Sequence, residues 1–344
     1  MITRNLFLKL SASVLALGAM AGAAAAQEVT LRMHQFLPGQ ANVPAKILDP
    51  WADTIEEASG GRIKIDRFHA MQLGGSPPQL IDQVIDGTAD IVWTVAGYTP
   101  GRFSQTEVFE LPFMMENSNA EAASRAYWTL AQETMQEDFA DFHVLALWVH
   151  GPGLIHSSDP IEAVRDLNGV KLRAPTRTTN MLFSSLGATP VGMPVPAVPE
   201  ALSQGVIDAT VIPWEVTGAL RVSELVSNHT TFGAESLYTT AFIFAMNNDA
   251  YNAMPADLQK IMDDNSGLEL SAFAGRQMQA DDQPSREIAE DLGNNIIELS
   301  PDQVADWKAA SQPTIEAWTA EMDAAGKDGT GLIAKARSLI SANQ

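Results

Sequence analysis

Leu80 to Trp93 reads LIDQVIDGTADIVW, and Pro199 to Trp214 reads PEALSQGVIDATVIPW. Each is an apolar helix, a Gly at its C-terminal cap (Gly87 and Gly205), two residues, an Asp, and then a β-branched run of strand character. The copies stand roughly 120 residues apart, whereas solenoid repeats recur every 20–50 or so. One unit used twice at that separation predicts two similar α/β lobes. Open α/β sheets bind ligands outside the carboxyl ends of their strands. Facing lobes therefore put Trp93 to Tyr98 and Ile212 to Glu215 on opposite walls of one cleft.

The flanking sequence fits that division. Val29 to Met33 and Arg62 to Phe68 alternate apolar and polar residues as strands. Between them Ile47, Trp51, Ile55 and Ala58 recur at helical spacing until Gly60-Gly61. His143 to Val149 is an apolar strand ending at the turn Gly151-Pro152-Gly153, the first crossing between lobes; Thr239 to Met246 is the return. Hinge residues are expected near 149–153 and 238–240. From Asp257 onward the chain reads as mostly helical. Leu258, Ile261 and Met262, then Ile288 and Leu292, then Trp307, Ile315 and Trp318 mark its buried faces, and Pro301 and Pro313 divide it. Gly331 to Ser341 closes it as an amphipathic helix. The lobes are then discontinuous: 27–150 with 239–278, and 151–238 with 279–344.

The first 26 residues read as a cleavable secretory signal peptide. Arg4 and Lys9 give a positive start, Leu10 to Met20 a short apolar stretch, and Ala24-Ala25-Ala26 a cleavage site. That apolar stretch is short of the roughly 20 residues a membrane span needs. The mature chain is expected to be periplasmic and monomeric, with no stable membrane insertion. It contains no cysteine, so no disulfide supports it and its core must suffice. A formal charge of −21 disfavours nucleic acid and anionic membranes as partners. An anionic ligand would need a specific cation in the cleft to overcome that field.

Asn168 to Asn180, NGVKLRAPTRTTN, offers one. Arg173 ends a short alternating strand, Pro175 stops it, and the Thr/Asn-rich turn can cap a helix running to Gly187. A guanidinium at a strand's end beside a helix N-terminus can hold a carboxylate by two parallel hydrogen bonds. A lone Arg is more often a surface charge; here the two-lobed setting reverses that preference. Arg177, one turn further on, supports the site or faces solvent. Trp93, Tyr98 and Trp214 fall at strand ends facing the cleft, whereas Trp51, Trp128 and Trp307 read as core.

Nothing points to catalysis. The histidines at 34, 69, 143, 150, 156 and 229 share no short metal-ligand spacing, and no HExxH, GxSxG or P-loop string occurs. Asp263-Asp264 and Asp281-Asp282 read as solvated helix faces, and Gly74-Gly75 as a turn before a helix. No metal and no cofactor is expected, and the chain is read as a binder rather than an enzyme.

Four strings, GRIKIDRFHAMQLGG (Gly61 to Gly75), LIDQVIDGTADI, DLNGVKLRAPTRTTN (Asp166 to Asn180) and LGATPVGMPVPAVPEALSQGVIDA (Leu186 to Ala209), closely resemble the solute-binding proteins of tripartite ATP-independent periplasmic (TRAP) transporters, the DctP-type family. The resemblance covers essentially the whole mature chain. It implies a two-lobe periplasmic binding protein with hinge strands and a long C-terminal helix, closing on an organic acid and delivering it to membrane subunits. It also places the family's carboxylate-pairing arginine on Arg173. Sialic-acid binders of the family carry a second arginine in the turn that here is Gly151-Pro152-Gly153-Leu154. Many members have an asparagine where this chain has Ile212. Both departures remove polar partners, so the expected solute is an apolar monocarboxylate, with an aromatic acid such as benzoate or a hydroxylated relative favoured. Trp214, Tyr98, Ile212 and Phe36 would form apolar walls, and Glu215 or His150 a polar end contact to a ring hydroxyl. A short aliphatic or keto acid, or a ligand-loaded sensor, remains the alternative.

Overall fold

The computed structural model describes residues 27–344; the signal-peptide reading lies outside them. The first lobe runs β1 (Val29–His34), α1 (Asp49–Ala58), β2 (Ile63–Phe68), α2 (Leu80–Ile85), β3 (Ile91–Val95), α3 (Ala120–Thr134) and β4 (Phe142–Val149). The chain then crosses to β5 (Gly153–Ser157), β6 (Lys171–Ala174), α4 (Arg177–Ser185), β7 (Thr189–Gly192), α5 (Val198–Ser203), β8 (Ala209–Pro213), α6 (Trp214–Leu220) and β9 (Asn228–Thr231). It returns through β10 (Ala241–Asn247), α7 (Asn248–Ala253), α8 (Ala256–Asp264) and α9 (Leu268–Ala280). The last elements are α10 (Asp282–Asp291), β11 (Asn295–Glu298), α11 (Pro301–Ala324) and α12 (Gly329–Ala342).

Two mixed sheets result, ordered β2-β1-β3-β10-β4 and β11-β9-β5-β8-β6-β7. In both, the repeated unit places its Asp-led strand at the centre: β3 pairs with β1 and β10, and β8 with β6 and β5. Both strands are buried throughout, as a central strand's apolar run requires. Gly87 and Gly205 both adopt positive φ (75° and 67°), the left-handed cap that ends each preceding helix.

The crossings lie side by side. Gly153 N donates to Tyr238 O at 3.0 Å, and Thr239 Oγ1 donates to His150 O at 2.9 Å. A third connection runs from α9, packed on α3 and β4, to α10, packed on α6. The closing helix departs from the expected division: α12 packs chiefly on α3 of the first lobe, because its buried face of Leu332, Ala336 and Ile340 joins the first lobe's core. Pro313 does not divide the C-terminal helix, since α11 runs unbroken through it from Pro301 to Ala324. Ile288 and Leu292 are exposed (47% and 52%), because α10 turns the small Ser285 and Ala289 inward. Ala58 is also exposed. The edge strand β11, which the sequence reading leaves as helix or loop, pairs parallel with β9.

Candidate functional site

Between the lobes lies a cleft lined from both sides, with about 400 Å³ of non-atom space that includes open solvent. The first lobe supplies an aromatic wall. Phe36 stacks on Trp93 (centroids 4.5 Å apart, 16° between planes), and Phe242 stacks on the same Trp93 at 5.2 Å. Tyr98 meets Phe36 edge-on at 5.7 Å. Strand periodicity places part of this wall: Phe244 on β10 is in register with Trp93 on β3, so Phe242, two residues along on the same face, reaches Trp93 diagonally and stacks on it.

The second lobe supplies the charge. Arg173 is 1% exposed, at the end of β6. The Thr176 side chain caps α4 just beyond, with a reciprocal capping box to Thr179. The Arg173 Nε donates to Met193 O (2.9 Å) and Nη1 to Val211 O (3.0 Å). These carbonyls fix the guanidinium plane without neutralising it. Among the described residues no carboxylate forms an ion pair with Arg173; its electrostatic neighbours are the Tyr98 and Tyr238 hydroxyls. Burial lowers its pKa from the usual value, but an arginine starts so high that it keeps its charge.

Nearby acids do not cancel that charge. Burial pushes the Glu110 carboxyl up to about 8. Burial, with Asp282 and Asp281 beside it, pushes Glu215 well above the usual carboxylate range. Both shifts favour the uncharged acid, which leaves Arg173 as the charge held in the cleft.

The lobes are in contact across this site. Val195 N donates to Tyr98 Oη at 2.9 Å, and Val195, Ile212 and Val216 join the first lobe's apolar cluster. Gly97 lies so close to Thr176 that an added Cβ would stand 2.5 Å from Thr176 Cγ2. A side chain there would hold the lobes apart.

Of the residues singled out in the sequence, Arg173, Ile212, Glu215, Tyr98, Trp93, Phe36 and His150 line this one cleft. Trp214 and Arg177 do not. The Trp214 ring packs on His156 (5.1 Å) and His229 (4.9 Å), and it borders a separate surface depression with Leu154 and Asp282. Arg177 is tied to Glu107 (Nε–Oε1 3.0 Å) and to Glu321 on α11. His150 lines the wall with both ring nitrogens engaged: Nδ1 with Gly151 O at 2.6 Å and Nε2 with Thr240 Oγ1 at 3.0 Å. Because a carbonyl can only accept, Nδ1 carries the proton and Nε2 accepts from the threonine. Burial lowers the His150 pKa to about 4, consistent with that neutral ring. His150 thus has no polar group to spare for a ligand.

The return crossing adds lining residues absent from the sequence reading: Tyr238, Thr240 and Phe242. Tyr238 and Thr240 fall in the expected hinge and Phe242 lies two residues further on, at the start of β10. No cluster of metal-ligating side chains occurs among the described residues. No described helix is long and apolar enough to cross a membrane.

Two lobes, three connections and a buried unpaired cation in the cleft define a hinged binding protein for an organic anion. Residues 38–321 match the family model for bacterial extracellular solute-binding protein family 7 (DctP), and the chain belongs to that family. It is similar to a TRAP solute-binding protein from Rhodoferax ferrireducens, solved with copurified benzoate (46% identity, 91% of this chain and 98% of that one, TM-score 0.89). It is equally similar to a marine-metagenome TRAP solute-binding protein specific for aromatic acid ligands, solved with 3-hydroxybenzoate (45% identity, 92% and 99% covered, TM-score 0.90). Among curated relatives, the transporter protein TsaT of Comamonas testosteroni is 26% identical over 94% of this chain and 95% of its own length. The chain is thus a TRAP-type periplasmic solute-binding protein, with the two-lobe fold that the sequence predicts.

Proposed function

We propose that this protein captures an aromatic monocarboxylate between its lobes and delivers it, chemically unchanged, to the membrane subunits of a TRAP transporter. The observation that carries this reading is Arg173: a buried cation without a carboxylate partner, facing an aromatic wall. The ligand carboxylate completes the guanidinium's hydrogen bonding. Tyr98 assists, because its oxygen accepts from Val195 N while its own proton is free to be donated to the carboxylate. The ring lies in the apolar space between the Phe36–Trp93 wall and Ile212.

Magnitudes assign the roles. Burying a phenyl-sized group contributes about 1.5–3 kcal/mol, whereas breaking a buried, hydrogen-bonded charge pair costs about 2–5 kcal/mol. Charge anchors the ligand, and shape selects among carboxylates. Trp214 and Arg177 act around this site rather than in it. Closure follows from contact with both walls, since a ligand shifts the equilibrium only by its differential affinity for the closed form. The benzoate and hydroxybenzoate carried by the two similar proteins support the same ligand class.

Calorimetric titration with benzoate, pyruvate, succinate and a sugar acid tests this reading. Benzoate is expected to bind tightest and to be recovered intact. Tight succinate or sugar-acid binding with silent benzoate would end it.

A further inference from the structure

Building on the aromatic-acid reading, we infer that Glu215 is a specificity-determining residue that reads a ring hydroxyl, so that the preferred ligands are meta- or para-hydroxylated aromatic monocarboxylates.

Glu215 opens α6 and lines the cleft at 6% exposure. Burial, with Asp282 and Asp281 close by, raises the pKa of its carboxyl well above the usual carboxylate range. Asp282 Oδ1 accepts from Glu215 N at 2.9 Å, which brings a second carboxyl against it, and Asp281 stands close by with Lys46 as its own counter-ion. Asn42 of the first lobe is beside the Glu215 carboxyl, yet Oε2 is left buried with no hydrogen-bond partner. An unsatisfied buried oxygen has lost its water without replacement, and a ligand group that both donates and accepts would restore the missing bond. A phenolic hydroxyl can donate to Oε2, whereas a second ligand carboxylate can only accept.

Trp93 Nε1 is a second buried group on the wall without a partner, but it can only donate, and two other polar side chains serve elsewhere. His150 uses both ring nitrogens within the protein, and Tyr98 accepts from Val195 N at the Arg173 end. Position on the ring follows from the backbone. Arg173 Nη1 is held on Val211 O, four residues before Glu215 along the same strand and helix. At a rise of about 3.3 Å per strand residue, the chain advances roughly 7 Å by Pro213 alone. Arg173 acts electrostatically on Tyr98, Tyr238 and His150, whereas Glu215 answers to Asp282 and Asp281. We therefore place the two residues at different ends of the site, so that a hydroxyl ortho to the carboxylate would stay at the Arg173 end.

The test is calorimetry with benzoate and its 2-, 3- and 4-hydroxy forms, using the wild type, Glu215→Gln and Glu215→Leu. The wild type is expected to bind the 3- or 4-hydroxy acid about tenfold tighter than benzoate, the size of one net hydrogen bond, with no gain for the 2-hydroxy acid. Glu215→Gln keeps the preference, since an amide also donates and accepts. Glu215→Leu brings the ratio close to one. Benzoate binding without a hydroxyl preference in the wild type, or a preference that survives in Glu215→Leu, overturns this inference alone. Should none of the four acids bind the wild type, the aromatic-acid reading falls and takes this inference with it.

Discussion

The end of β6 and the start of α4 each present an arginine, four residues apart, and the fold uses them in opposite ways. Arg173 is buried, held by two carbonyls and free of any carboxylate partner among the described residues. Arg177 keeps a partly exposed side chain and is paired with two carboxylates, Glu107 and Glu321. Glu107 also accepts from Trp318 Nε1 at 3.0 Å, so this second arginine ties the first lobe to α4 and α11. A charge already neutralised by the protein has little to offer a ligand. A charge positioned but left unpaired has its strongest interaction in reserve. The difference separates a residue that binds solute from one that fastens lobes.

Substitutions can break that contrast. Arg173→Ala is expected to weaken benzoate binding by about 2–5 kcal/mol, the usual effect of removing one partner of a buried charge pair. Arg173→Lys is also expected to bind poorly, because an ammonium cannot donate along the planar fork that Met193 O and Val211 O hold in place. Calorimetry measures both, and a lysine variant within about twofold of wild type would remove the fork from the account. Tyr98→Phe leaves Val195 N without its partner and deprives the carboxylate of a donor, so a loss of about 1–3 kcal/mol is expected. Arg177→Ala removes a partly exposed arginine but leaves the buried Glu107 carboxylate without it, so the cost falls on the fold rather than on the ligand. Its expected result is an affinity drop below tenfold or so, with a lowered melting temperature. A loss as large as that of Arg173→Ala would make the two arginines equivalent and undo the distinction.

The smallest expected effect concerns pH, and it sharpens the same contrast. Arg173 and a benzoate-type carboxylate both keep their charges, so affinity should be nearly flat between pH 6 and 7 or so and fall towards pH 8, where Glu110 begins to ionise. Stability should not follow it into acid. Burial holds His150 and His229 near a pKa of about 4, below the unfolded value of 6.5. Each ring therefore contributes stability that is present above pH 6.5 and is lost as pH falls towards 4. The His229 ring is fixed by a relay: His156 Nε2 faces Ile212 O, so His156 Nδ1 must accept from His229 Nδ1 at 2.7 Å. His229→Gln should show a shallower loss of unfolding free energy between pH 6.5 and 4 than wild type. An unchanged slope in denaturant titrations would contradict the relay.

What the sequence makes legible follows from short-range rules. The helix–Gly–strand unit appears twice because central strands need continuous apolar runs and helices need a left-handed cap, and both leave a mark on residue types. Arg173 is readable because strand alternation, Pro175 and the Thr176 cap fix its position locally. Trp214 and Arg177 are not, because their partners, His156, His229, Glu107 and Glu321, lie far away in the chain. The faces of α10 mislead for another reason: Ile288 and Leu292 have the right spacing for a core stripe, yet the tight packing against α6 admits only Ser285 and Ala289. Glu215 was legible as a polar group near the cleft, but the shift of its carboxyl depends on burial and on Asp282, which only the fold reveals.

A crystal structure of the benzoate complex tests the central claim most directly. The account requires both carboxylate oxygens within hydrogen-bonding reach of the Arg173 guanidinium, about 2.7–2.9 Å, with the ring between the Phe36–Trp93 wall and Ile212 and the lobes in contact through Tyr98 and Val195. A carboxylate bound away from Arg173, or a ring seated in the depression beside Trp214, would contradict it.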